Sequence, residues 1–376
     1  MWRRAIAPFL FLALLAPSAQ AQDATQELLD QISHDIESLS VNTPIWIAQH
    51  VPAAMPSSAI GSAPDHGDGP GLAIGVVLPR LGLFNQFSEV GQGTDFLGFD
   101  DQLPGNMLWP QFGVTAALRL GIGLEASVNI EGVPNMALGG DTATVEVGNF
   151  SAGGNVRWRL SPAVGPLPGL VVGVGASYST GTMRFGVSGK SGYTIPLKVD
   201  NGLGGFVETD VTGTYSFVGG PEMAWEMMQV APEVRLVWAA GPVKPFVGLS
   251  VGITEGTVQG GANVTTRIEV DEVQVQGVTL DDSQTYTKSE TNLFSTEPAR
   301  FTVRPHVGVD FDLGALSIAA QLDVAFLNND QLSTEVDTEA LNDFDPDQEG
   351  GMFGDAQQDS QSSVALVGSL AMRVVF

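Results

Sequence analysis

The chain has 376 residues, no cysteine, and 42 acidic against 16 basic side chains, a formal net charge of −26. Without cysteine there is no disulfide framework, thiolate metal centre or cysteine nucleophile, and the acidity argues against nucleic acid as a partner. Glycine is abundant, at 46 residues, while charged residues make up only 15% of the chain, a balance that does not suit a helical enzyme.

Residues 1–21 read as a secretory signal peptide. Arg3 and Arg4 form a basic start, Ala5 to Leu15 is an apolar run, and Ala19-Gln20-Ala21 is a small-x-small cleavage site. The run is too short to cross a bilayer as a helix, and no later stretch is long and apolar enough to do so.

Residues 22–70 form a separate N-terminal segment with acids and no Lys or Arg. Leu28, Leu29, Ile32, Ile36 and Leu39 recur at helical spacing. Thr43-Pro44-Ile45-Trp46-Ile47 reads as extended, and 56–71 as a Pro/Gly/Ser-rich linker. This segment is expected in the periplasm or partly inserted as a plug.

From residue 71 to 376 the pattern is period-two alternation, repeated about ten times. Residues 111–120 place Phe112, Val114, Leu118 and Leu120 on one face and Gln111, Thr115 and Arg119 on the other. A tight Gly121-Ile122-Gly123 turn leads to Leu124, Ala126, Val128 and Ile130 against Glu125, Ser127, Asn129 and Glu131. Further segments lie at 72–78, 150–160, 170–178, 229–238, 246–253, 301–313, 316–326 and 363–376. Each has about the length that a tilted membrane-spanning strand needs.

Connections alternate between short ones (121–123, 161–169, 239–245, Gly314) and long ones (79–109, 132–149, 179–228, 254–300, 327–362). An up-and-down transmembrane barrel has this form, with short periplasmic turns and long extracellular loops. The expected fold is therefore all-β: an antiparallel outer-membrane barrel of about ten strands. Twelve are possible, because 183–218 and 257–280 also alternate; these are read as strand extensions above the membrane.

The final strand closes on Phe376. It resembles the terminal strand of bacterial outer-membrane proteins, where such an end is the signal read by the barrel-insertion machinery. That machinery and outer-membrane lipid are the partners implied. The layout over 105–376 also resembles a family of uncharacterised outer-membrane proteins best known from Bacteroidetes. It does so through Pro110-Gln111-Phe112-Gly113-Val114, the hairpin at 118–130 and the strand–proline–strand unit 156–178 with Leu167-Pro168-Gly169. That family has no assigned activity to carry over, and the segment 41–105 departs from its pattern.

The inward phase predicts a charged lumen of Arg119, Glu125, Glu131, Arg157, Arg159, Glu233, Arg235, Arg304, His306, Asp310, Asp312, Asp323 and Arg373. Charges in a narrow barrel must pair. They form either a rigid ion-paired core or a polar conduit. Pro305 falls on an outward position and marks a possible bulge. Glycine on 170–178 and 246–253 reflects either close approach of a plug or strong curvature.

The last long connection is strongly acidic. Asp343, Asp345, Asp347 and Glu349 are spaced like the start of a calcium loop, a weak divalent-cation candidate. Gln348 stands where the turn glycine belongs, and Gly354 where the bidentate glutamate belongs. No other cofactor is expected. The histidines are His34, His50, His66 and His306, and no GxSxG or HExxH occurs. The chain is expected not to be an enzyme. It is expected to be a narrow outer-membrane pore for small polar solutes or ions, or alternatively a structural barrel that displays acidic loops.

Overall fold

The computed structural model describes residues 31, 34–35, 38–61, 69–94, 103–139, 143–200, 206–275, 278–328, 334–336 and 363–376. Residues 38–54 are helical (α1). Twelve strands follow: β1 (Pro70–Phe84), β2 (Met107–Leu120), β3 (Leu124–Gly139), β4 (Ala143–Ser161), β5 (Gly169–Asp200), β6 (Phe206–Val237), β7 (Val243–Val275), β8 (Val278–Thr296), β9 (Phe301–Asp312), β10 (Leu316–Asn328), β11 (Thr334–Val336) and β12 (Ser363–Val375).

Ten of these strands close a ring. Neighbours pair antiparallel from β1 to β7; then β7 pairs β9, β9 pairs β10, β10 pairs β12, and β12 returns to β1 with Val76 opposite Met372. Above the ring, β8 pairs the upper part of β7, and the short β11 pairs β8. The fold is thus a closed ten-stranded antiparallel barrel. Closure removes every unpaired strand edge from the lipid, as a membrane requires. Phe376 sits at the seam, where its N–H donates to the Leu72 carbonyl at 2.8 Å, with its ring exposed.

The strand extensions expected above the membrane at 183–218 and 257–280 are there over the described residues, and the long connections shorten to match. Most of the long connections are strands that continue upward: β5 and β6 are 32 residues each and β7 is 33. Since about 9–11 residues cross a membrane, roughly 20 residues of each rise beyond it. The first long connection also begins later than residue 79, because β1 runs to Phe84. A register shift between Val77 and Arg80 hid this: one extra residue at Leu78-Pro79 restores the inward phase at Arg80. Pro305 makes no such bulge, since the pairings of β9 with β7 and with β10 keep one register across it.

The alternation reverses polarity partway up the wall. On β5, Leu170, Val172, Val174, Ala176 and Tyr178 face outward and are followed by Thr180, Thr182 and Arg184. Inward, Ser177 and Ser179 give way to Met183 and Phe185. On β6, outward Val234, Val230 and Met228 give way to Glu226 and Glu222, and inward Arg235, Glu233 and Gln229 give way to Met227, Trp225 and Met223. β4 does the same, from outward Phe150 to Glu146 and from inward Asn149 to Val147. Below the reversal the barrel is built for lipid, apolar outside and polar inside. Above it, the barrel is built for water, polar outside and apolar inside.

The apolar interior of the upper part is filled by α1. Leu39, Trp46, Ile47, Val51 and Met55 are buried against Phe84, Phe87, Trp109, Phe185, Trp225 and Val258. Trp46 meets Phe87 and Phe84 edge-on, at 5.0 and 5.9 Å between ring centroids. The expected extended run at 43–47 is therefore helical. Pro44 misled the reading, because a proline costs a helix one hydrogen bond. The burial of Trp46 and Ile47 outweighs that loss, and Thr43 Oγ1 donates to the Leu39 carbonyl at 2.6 Å.

Candidate functional site

Below α1 the chain descends as residues 55–61 through the polar half of the lumen. Its main-chain carbonyls meet a collar of inward arginines. Arg80 Nη1 and Arg304 Nη1 donate to the Met55 carbonyl at 3.4 and 3.1 Å. Arg304 also donates to the Pro52 carbonyl. Arg235 donates to the Ala59 carbonyl at 2.6 Å and to the Gly61 carbonyl, which Arg157 shares. Arg373 donates to the Ile60 carbonyl at 2.7 Å. The arginines come from β1, β4, β6, β9 and β12, so the collar takes a donor from around the ring.

Carboxylates balance the same guanidinium groups. Glu125 pairs with Arg157 and stands 3.6 Å from Arg119. Glu131 lies 3.0 Å from Arg80 Nε, and Glu233 lies 2.8 Å from Arg235. Asp323 accepts from Gln321 at 2.9 Å, and His306 Nδ1 lies 3.9 Å from it. Lys244 holds Asp312 at 2.9 Å at the turn end. Buried charges are tolerable only when paired and hydrogen-bonded in this way. The guanidinium fork suits the task, since one arginine can serve two carbonyls and a carboxylate at once.

Of the thirteen named residues eleven are buried, Arg159 and Asp310 among them, while Arg119 and Asp312 are half-buried near the turn end. The sequence reading missed Arg80 and Gln229, and it left Asn155 and Gln321, which it placed on the inward face, out of the lumen set. The bulge concealed Arg80. The others are neutral, and a search confined to charges passes over them although they keep the inward phase. Gln229 is fully buried: its amide nitrogen donates to the Pro52 carbonyl at 3.2 Å and Thr254 Oγ1 at 2.9 Å, and its oxygen accepts from Ser57 Oγ at 2.6 Å.

Close approach of the plug explains Gly153 of β4 and Gly175 of β5. A Cβ at Gly175 would collide with the Ser57 carbonyl oxygen, and one at Gly153 with that of Pro56. On β7, Gly248 makes room for the His306 ring instead. Gly61, where the plug ends, has a φ of +91°, a turn that favours glycine. Outside the same wall, Ala152, Gly154 and Ala176 leave a trough of about 560 Å³ between Val128, Ile130, Tyr178 and Met228. It faces lipid and is not part of the lumen.

His306 is buried within the collar and His50 within the upper core. His50 stacks on Trp46 at 4.7 Å, and its Nδ1–H donates to the Trp46 carbonyl at 2.8 Å. The calcium-like positions Asp343, Asp345, Asp347 and Glu349 lie outside the described residues, as does His66. Among the described residues no group of three or more potential ligands is placed to hold a metal.

The fold and the lipid-facing belt define the class: an outer-membrane β-barrel. No protein-family model and no curated protein matches the chain, so membership of the uncharacterised family best known from Bacteroidetes is not shown. Solved structures with similar folds are outer-membrane barrels. The translocator domain of autotransporter NalP from Neisseria meningitidis aligns at 9% identity over 96% of this chain and 99% of that one, with a TM-score of 0.28. The outer membrane protease OmpT from Escherichia coli aligns at 9% identity over 85% and 100%, with a TM-score of 0.31. The toluene transporter TbuX from Ralstonia pickettii aligns at 11% identity over 82% and 90%, with a TM-score of 0.23.

One of these barrels is a protease. The expectation that this chain is not an enzyme is corrected accordingly: barrels of this architecture include enzymes, and enzyme status is not established. Likenesses at this level carry neither proteolysis nor toluene transport to the chain.

Proposed function

We propose that the protein is a sealed outer-membrane barrel that anchors and displays the long β5–β8 strands outside the cell. One observation carries this reading. Above the membrane belt, the lumen is an apolar core packed around α1, so the polar lower lumen does not continue to the far mouth. Water and ions do not cross a close-packed apolar core of this kind. The segment 55–61 stays put because its carbonyls take N–H donors of buried guanidinium groups that the carboxylates alone do not satisfy. The exposed Phe376 ring at the closing seam is available to the machinery that inserts the barrel.

A second reading, a gated conduit for small polar solutes or ions, is favoured by the lower lumen. There Gln111, Thr115 and Ser127 are buried with side-chain polar atoms that find no protein partner among the described residues. Buried polar atoms of this kind take water or a polar guest. Such a conduit opens only if α1 is displaced.

Single-channel recording in planar bilayers separates the two. The protein folded without residues 1–21 is expected to be silent, with heat-modifiable electrophoretic mobility as the proof of folding. Steady openings from that protein would overturn the sealed reading and make the arginine collar the lining of a conduit.

A further inference from the structure

We infer that the chain runs through the barrel from the long-strand mouth down to the turn end, so that His34, ahead of α1, lies on the cell-surface side. This rests on the reading that the long strands face outward from the cell. The direction of α1 is fixed at both ends. At the upper end, Asn42 Nδ2 donates to the Gln92 carbonyl at 3.0 Å, and Trp46 Nε1 donates to the Asn85 carbonyl at 3.1 Å. Both carbonyls belong to the β1–β2 connection at the long-strand mouth. Pro44 and Ser40 lie against Gly260, above the level at which β7 leaves β9 for β8.

At the lower end, Ile60 packs with Val77, Ala319 and Ala371. The Gly61 carbonyl takes Arg157 and Arg235, which lie four residues before the turn end of β4 and two before that of β6. β1 then starts at Pro70 beside Gly121 of the β2–β3 turn. The main chain of α1 is also tied to the wall midway, where the Ala299 N–H donates to the Ala48 carbonyl at 2.9 Å. The path has one sense: residue 38 is at the mouth and residue 70 at the turns.

Topology does the rest. The segment entering α1 is on the mouth side, while the first strand begins on the opposite side of the membrane. A chain secreted into the periplasm reaches this state only if its N-terminal segment is carried up through its own barrel as the barrel forms. His34, helical and exposed, reports on it.

The absence of cysteine makes the test direct, because any introduced thiol is unique. Three single variants are compared in intact cells with a membrane-impermeant maleimide. His34→Cys reads the N-terminal segment, Val218→Cys the exposed upper face of β6, and Val164→Cys the exposed β4–β5 turn. Labelling of His34→Cys and Val218→Cys on intact cells, with Val164→Cys labelled only after permeabilisation, is the expected result. If Val218→Cys labels on intact cells but His34→Cys needs permeabilisation or denaturation, the threading is overturned while the display reading stands. If Val164→Cys labels on intact cells and Val218→Cys does not, the barrel is inverted and both fall.

Discussion

Gly175 and Gly153 are narrow places in the wall, and the cause is the plug rather than the backbone angle. Neither glycine has a positive φ, yet a methyl group on either would strike a plug carbonyl. Gly175→Ala is therefore expected to lower stability by about 1–3 kcal/mol, as overpacking does. Gly368→Ala, with open space around it, is expected to change stability by no more than about 0.5 kcal/mol. Denaturant unfolding of the protein in lipid vesicles, followed by tryptophan fluorescence, measures both. Arg235 is the corresponding polar position: it serves the Ala59 and Gly61 carbonyls and Glu233, with its guanidinium 5.2 Å from the Phe246 ring. Arg235→Met removes the hydrogen-bonded partner of the buried Glu233 and is expected to cost about 3–5 kcal/mol. Arg235→Lys is expected to recover only part of that, since an ammonium cannot reproduce the planar fork. A full rescue by lysine would show that charge alone matters there.

At the scale of single elements, α1 stands or falls with its tertiary contacts. Pro44 and the β-branched Thr43, Ile45, Ile47 and Val51 are poor helix formers, so an isolated peptide of this sequence gains little from propensity. Ile47→Ala is expected to cost about 2–5 kcal/mol, because the cavity it leaves is ringed by fixed barrel side chains. Ala48→Pro removes a helical hydrogen bond in the middle of the packed face and is expected to cost about 3 kcal/mol or more. Channel recording on either variant also shows whether loosening α1 opens the lumen. The same helix marks the limit of the sequence reading. The lower strands were legible because each obeys one rule, apolar outward and polar inward, from Leu118 and Arg119 to Val374 and Arg373. The upper strands obey the opposite rule, visible in Glu222-Met223-Ala224-Trp225-Glu226-Met227, where the acids alternate with large apolar residues. That run has no use inside a lipid-spanning wall; it has one in a barrel wrapped around an apolar helix. Without the helix as partner the run reads as loop, and without the run the helix reads as periplasmic. Each is decided only by the other, through contacts far apart in sequence. The collar of arginines was legible as charge but not as a clamp, since its acceptors are main-chain carbonyls that no residue type announces.

For the molecule as a whole, the polarity reversal fixes how deep the barrel sits. Five outward apolar positions on β5, from Leu170 to Tyr178, span nine residues, and the outward face is polar at Thr180, Thr182 and Arg184. Nine residues of tilted strand match the hydrocarbon core, so the upper membrane surface is expected between residues 178 and 180 on β5, between 226 and 228 on β6, and between 253 and 255 on β7. Nitroxide labels placed singly at 172, 174, 176, 178, 180, 182 and 184 in the otherwise cysteine-free chain test this. Collision with oxygen, which dissolves in lipid, should dominate through 178. Collision with a water-soluble nickel chelate should take over from 180. A crossover several positions higher would put the Arg184–Glu222 pair, 2.8 Å apart and exposed on the outer wall, into hydrocarbon, where an outward charge costs about 2–4 kcal/mol at mid-depth. That penalty is what holds the barrel at its level. It also keeps the apolar core around α1 above the membrane, where water on the outer wall supplies the hydrophobic force that seals it.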